Sequence, residues 1–94
     1  MGDGDHRTAR DVTVRGAVQG VGFRFRCSQE AERLGVFGWV RNEADRSVAG
    51  HFEGTTEAVE ALVEWCRNGP SHADVEKVES EAAVPSGART FNAK

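Results

Sequence analysis

At 94 residues the chain has room for one two-layer core and no second domain. Its hydrophobic fraction of 38% and charged fraction of 29% are those of an ordinary globular protein, and no apolar run approaches the roughly 18 residues that span a bilayer. The net charge of −3 lacks the basic footprint of phosphate-backbone binding, so neither nucleic acid nor membrane is an expected partner.

Residues 1–8 are polar and Gly/Asp-rich and are expected to fray, with a single domain over 9–94. The opening "MGDGDHRTAR" has no apolar core of a secretory signal, and a cytoplasmic location is the expectation. "DVTV" (11–14) alternates apolar and polar positions with β-branched residues and predicts a first strand. A glycine-rich loop, "GAVQGVGFR" (16–24), follows. From Phe23 the period changes: Phe23, Cys27, Ala31 and Leu34 line one face of a helix that Gly35 is placed to stop.

"VFGWVRN" (36–42) predicts a second strand, with Phe37 and Trp39 expected on opposite faces. The polar turn 43–46 leads into a third strand, "SVAGHFEG" (47–54), and the short connection predicts a hairpin. Arg41 and Arg46 are expected to be solvated. A second helix starts at Thr55 or Thr56 as N-cap, with Glu57 in its first turn and Val59, Leu62, Val63 and Cys66 on its buried stripe. Gly69-Pro70 ends it. "DVEKVES" (74–80) predicts a charged strand suited to a sheet edge, which argues for a monomer. The tail "SGARTFNAK" has the composition for one further short strand, and the sequence leaves open whether it forms.

Two cysteines without a CxxC, and His6, His51 and His72 scattered along the chain as surface or loop residues, fit no familiar zinc spacing, so no metal or cofactor is expected. Antiparallel helices would let Cys27 and Cys66 approach, as two reduced, buried thiols.

The order β-α-β-β-α-β predicts an α+β fold: a ferredoxin-like two-layer sandwich, an antiparallel sheet with two helices on one face. In its βαβ unit the first two strands run parallel with a right-handed crossover, so their C-terminal ends lie at one rim. That brings the glycine loop and the pair Arg41-Asn42 together. Gly16, Gly20 and Gly22 permit positive φ and keep side chains off the backbone, so successive N–H groups can form an anion nest. The loop also opens a helix, and Arg24 in the first turn adds a planar fork for two phosphate oxygens. Phosphate, sulfate or a carboxylate would suit such a site. On residues alone a tight turn with a solvated Arg24, Gln19 bonding backbone within the loop, and Asn42 as a strand-ending turn residue remain open.

"GAVQGVGFR" resembles the G-x-V-Q-G-V-x-F-R signature of the acylphosphatase family, and "GWVRN" (38–42) is similar to its second motif, G-x-V-x-N. "EGTTEAVEALVEWCRNGP" (53–70) is similar to the family's second helix and its exit, and the likeness runs from Val12 to Glu79. The resemblance implies hydrolysis of small acyl phosphates to a carboxylate and inorganic phosphate without a metal. It implies that Arg24 binds the phosphoryl group, that Asn42 orients the attacking water, and that the amides of Val18, Gln19, Gly20, Val21 and Gly22 cradle the phosphate oxygens. Members often finish with an apolar strand, whereas this chain reads "FNAK". Two other readings stand beside it: a non-catalytic anion-binding or regulatory module, and a single-strand nucleic-acid binder using the open sheet, which the acidic balance disfavours.

Overall fold

A computed structural model describes residues 7–94. The elements are β1 (Thr8–Ala17), α1 (Phe23–Leu34), β2 (Phe37–Asn42), β3 (Val48–Gly54), α2 (Thr56–Asn68), β4 (Asp74–Ala83) and β5 (Phe91–Ala93). They form one five-stranded sheet in the order β4-β1-β3-β2-β5. The first four strands pair antiparallel throughout, and β5 adds a parallel edge beside β2. Because β1 and β2 both run antiparallel to the β3 between them, they are parallel to each other, as the connectivity predicts.

Both helices bury their stripes on one face of this sheet. Phe23, Cys27 and Ala31 of α1 and Val59, Leu62, Val63 and Cys66 of α2 share one core with Val12, Val14, Val40, Val48 and Phe52. Cys27 and Cys66 are both free and fully buried. The neighbouring Cys66 thiol, followed by burial, pushes the Cys27 thiol well above its ordinary pKa. The Thr55 hydroxyl caps α2 by accepting from the Ala58 N–H at 3.1 Å. At the end of α1, Val36 N–H bonds the Ala31 carbonyl at 2.8 Å and Gly35 N–H the Glu32 carbonyl at 3.3 Å, closing the last turn.

β1 is longer than "DVTV" at both ends, because it is a central strand and pairing with β3 and β4 carries weak strand formers such as Ala9 and Arg10 into the ladder. Thr8 belongs to β1 and Arg7 ion-pairs with Glu53 at 3.0 Å, so neither is part of a frayed tail. The expectation for residues 1–6, His6 included, falls outside the described residues. Phe37 and Trp39 share one face, not two: residues two apart point the same way in a strand, and Gly38 and Val40 hold the core side. His51 is not a loop residue. It lies buried on β3, in a row that crosses the open face of the sheet from Trp39 through His51 to Asp11 and Glu81.

Candidate active site

The two helices begin in opposite ways. α2 has a threonine cap and Glu57 in its first turn, both of which offset its positive end. α1 has Gly22 at its N-cap, no side-chain cap bond and no acid in its first turn, which carries Arg24 and Arg26 instead. Helix stability alone would favour the opposite choice. Such a local violation is expected where a ligand supplies what the chain withholds.

The loop ahead of α1 repeats the pattern in its backbone. Gly20 and Gly22 take φ of 79° and 78°, and nothing lies within 4 Å of where a Cβ would stand at either. These glycines therefore serve backbone direction and open approach. Gly16 has a different task. It sits at a bulge against β4, where a Cβ would meet the Asp74 carbonyl at 2.2 Å. Val18 N–H donates to the Gly16 carbonyl at 3.0 Å, and its side chain is buried. From Gln19 to Phe25, no backbone N–H donates to a protein acceptor among the described residues, whereas Arg26 N–H resumes the helical pattern on Gly22 at 3.0 Å. Seven successive donors are left for something else.

Side chains alternate along this loop. Gly20 and Gly22 face a cavity of about 240 Å³ that is also lined by Val18, Phe23, Arg24, Phe25, Asn42 and Ala93. Val21 packs toward the core. Gln19 turns outward and donates both of its amide hydrogens, to the Glu43 and Ser47 carbonyls, each at 2.9 Å. The expectation that Gln19 bonds within its own loop is thus corrected: it fastens the loop to the β2–β3 turn, immediately after Asn42. Asp45 stiffens that turn, accepting from Ser47 Oγ at 2.6 Å and Ser47 N–H at 3.0 Å. Those two bonds, with the Arg15 guanidinium, hold the Asp45 carboxyl at about 2.

The structure brings Arg24 and Asn42 to the walls of one cavity, 18 positions apart in sequence, as the parallel β1 and β2 require. Asn42 is exposed at the end of β2, and its carboxamide has no protein partner among the described residues. Arg24 Nη1 donates to the carbonyl of Lys94. That carbonyl arrives because β5 runs parallel to β2, with Lys94 N–H bonded to the Val40 carbonyl at 2.8 Å. Phe25, Ala93 and Lys94 were not marked by sequence. A strand in the tail would have pointed to the last two by the same rim argument. Arg41 turns instead to the open face, with Nε 2.5 Å from Glu43 and its guanidinium 4.6 Å from the Trp39 ring centroid. Arg46 adopts φ of 75° inside the turn.

Elsewhere, one carboxylate is fully enclosed. Glu53 accepts from His51 Nε2 (2.6 Å), Arg7 (3.0 Å), the N–H groups of Ser86 (2.6 Å), Gly87 (3.1 Å) and Ala88 (3.3 Å), and the Ser86 hydroxyl. This network ties the β4–β5 connection across the end of the sheet. Among the described residues, no three His, Cys, Asp or Glu side chains converge as a metal site, and no helix is long and apolar enough to cross a membrane.

Fold and cavity together define a ferredoxin-like α+β domain with a cavity at the rim where its two parallel strands end, walled by the glycine loop, Arg24 and Asn42. The acylphosphatase family model matches residues 10–92. An acylphosphatase of Nocardioides sp. is 53% identical over 92 residues, covering 98% of this chain and 93% of its own. The structure of an acylphosphatase from Coxiella burnetii superposes with a TM-score of 0.94 at 34% identity over the whole of both chains. That of Bacillus subtilis acylphosphatase gives 0.89 at 31% identity, over 93% of this chain and 98% of that one. The chain belongs to the acylphosphatase family.

Proposed function

We propose that this protein hydrolyses small acyl phosphates to a carboxylate and inorganic phosphate, with Arg24 and the loop amides holding the phosphoryl group and Asn42 placing the water. The observation that carries the proposal is the run of N–H groups from Gln19 to Phe25 with no protein acceptor among the described residues, in a loop whose Gly20 and Gly22 line the cavity that also holds the Arg24 guanidinium and the Asn42 carboxamide.

The chemistry needs little more. In the reaction the water oxygen bonds to phosphorus as the bond from phosphorus to the acyl oxygen breaks. The leaving carboxylate has a conjugate acid of pKa about 4 to 5, so it departs without a proton. What rises in the transition state is charge on the phosphoryl oxygens, which preorganised N–H dipoles and a guanidinium stabilise best. Lys94 occupies one N–H of the Arg24 fork and fixes its direction, leaving the others for phosphate. The Val18 N–H, expected in the cradle, is already committed to the Gly16 carbonyl at 3.0 Å and shapes the loop instead, so the amides of Gln19, Gly20, Val21 and Gly22 are the ones to hold the oxygens.

The neutral amide of Asn42 can accept from water through its carbonyl and donate through its NH2, where an aspartate would repel the substrate. The water's proton passes to a phosphate oxygen of the substrate itself. The same proposal has the protein working as a monomer in the cytoplasm, with the charge neutralisation supplied by Arg24 and the amides, so that activity persists in EDTA. Steady-state release of phosphate from benzoyl phosphate is the test. Arg24→Ala and Asn42→Ala are each expected to lower kcat/KM by about 100-fold or more. Wild-type rates in either variant would remove that residue from the mechanism.

A further inference from the structure

Among the described residues, Phe25 is the one large apolar side chain at the cavity that folding does not use. It is 63% exposed, and among the described residues only Val84 is a comparably exposed large hydrophobic. Phe23 and Phe52 are buried in the core and Phe91 packs against it, whereas Phe25 takes no part in that cluster. Single exposed apolar residues are ordinary on protein surfaces. Phe25 differs by its place, since it follows Arg24 in the first turn of α1 and shares one cavity with Arg24, Asn42, Gly20 and Gly22.

The cavity is also larger than a phosphate needs. Its 240 Å³ far exceeds the roughly 10–15 Å³ that admits a single water, and a phosphate has only five non-hydrogen atoms. The remaining wall is apolar, made of Val18, Phe23, Phe25 and Ala93, and among the described residues no acidic side chain lines it. The donors and Arg24 account for the phosphate end of a ligand. The aromatic ring standing in water accounts for nothing until the other end covers it.

We propose that Phe25 is the contact for the acyl group, and that this protein favours acyl phosphates with a bulky apolar, aromatic body over acetyl phosphate. The inference rests on the acyl phosphate reading above and deepens it. A flat ring against Phe25 buries apolar area on both partners and gains an offset or edge-to-face aromatic contact, which an acetyl methyl group cannot provide.

The experiment compares kcat/KM for benzoyl phosphate and acetyl phosphate in the wild type, Phe25→Ala and Phe25→Tyr. Phe25→Ala is expected to lower the benzoyl-to-acetyl ratio about fivefold, the worth of one aromatic contact. The loss should appear in KM for benzoyl phosphate, and Phe25→Tyr should keep the wild-type ratio. A ratio untouched by Phe25→Ala, or equal losses on both substrates, would overturn the inference while leaving acyl phosphate hydrolysis standing. Hydrolysis of neither compound by the wild type would overturn both.

Discussion

Replacing Glu53 with glutamine removes a buried charge that six donors face. Burial by itself would raise the Glu53 carboxyl, but the bonds from the Ser86 hydroxyl and N–H, His51 and Arg7 outweigh it and hold the group at about 2 against an ordinary 4.5. A displacement of about two and a half units, at about 1.36 kcal/mol each, corresponds to roughly 3 kcal/mol of preference for the ionised form. Breaking a buried pair by removing one partner costs a similar amount, about 3–5 kcal/mol. Glutamine keeps one carbonyl but turns an NH2 toward groups that are themselves donors. Because the folded-state value is depressed, the stabilisation is complete above pH 4.5 and drains away as pH falls toward 2. His51 works in the opposite direction. Burial lowers its pKa, but the bonds to Asp11 and Glu53 raise it more, so its contribution is complete below 6.5 and fades as pH climbs past the raised value. Urea unfolding across pH 2–8 is the assay. Glu53→Gln should be about 3 kcal/mol less stable than wild type at pH 6, with the gap closing toward pH 2. Equal stability at pH 6, or a gap that acid does not narrow, would refute the reasoning.

Gln19→Glu sets a carboxylate against the Glu43 and Ser47 carbonyls, and should cost about 1–3 kcal/mol in unfolding experiments while lowering kcat as the loop loosens beside Asn42. Gly22→Ala meets empty space but must hold φ of 78°, so circular dichroism should show an intact fold with a penalty of about 1–2 kcal/mol. Cys27 and Cys66, buried and with the Cys27 thiol pushed up, should resist a thiol reagent in the native protein and react only on unfolding.

Local chemistry was legible where it acts over a few residues. Thr55 caps α2, Gly35 and Gly69 close the helices, and the stripe of Val59, Leu62, Val63 and Cys66 is buried as its spacing predicts. Connectivity also carried the rim, since parallel β1 and β2 oblige the glycine loop and Asn42 to meet. Glu53 was not legible, because "HFEG" gives no sign that its partners lie at Arg7 and Ser86–Ala88, 33 to 46 positions away. β5 spans three residues paired to one neighbour, too short for any period to show. Nor does sequence separate a bulge glycine such as Gly16 from the loop glycines beside it, since both need positive φ. Phe37 and Trp39 were misplaced by a count: the faces of a strand change at every residue, not every second one.

Backbone amide NMR of the protein titrated with inorganic phosphate addresses the donor-lined loop itself. Shifts concentrated at Gln19 through Phe25, half-saturating at the inhibition constant of phosphate for hydrolysis and disappearing in Arg24→Ala, are the predicted result. Unmoved resonances in that segment, with phosphate still inhibiting, would place the anion elsewhere and contradict the site.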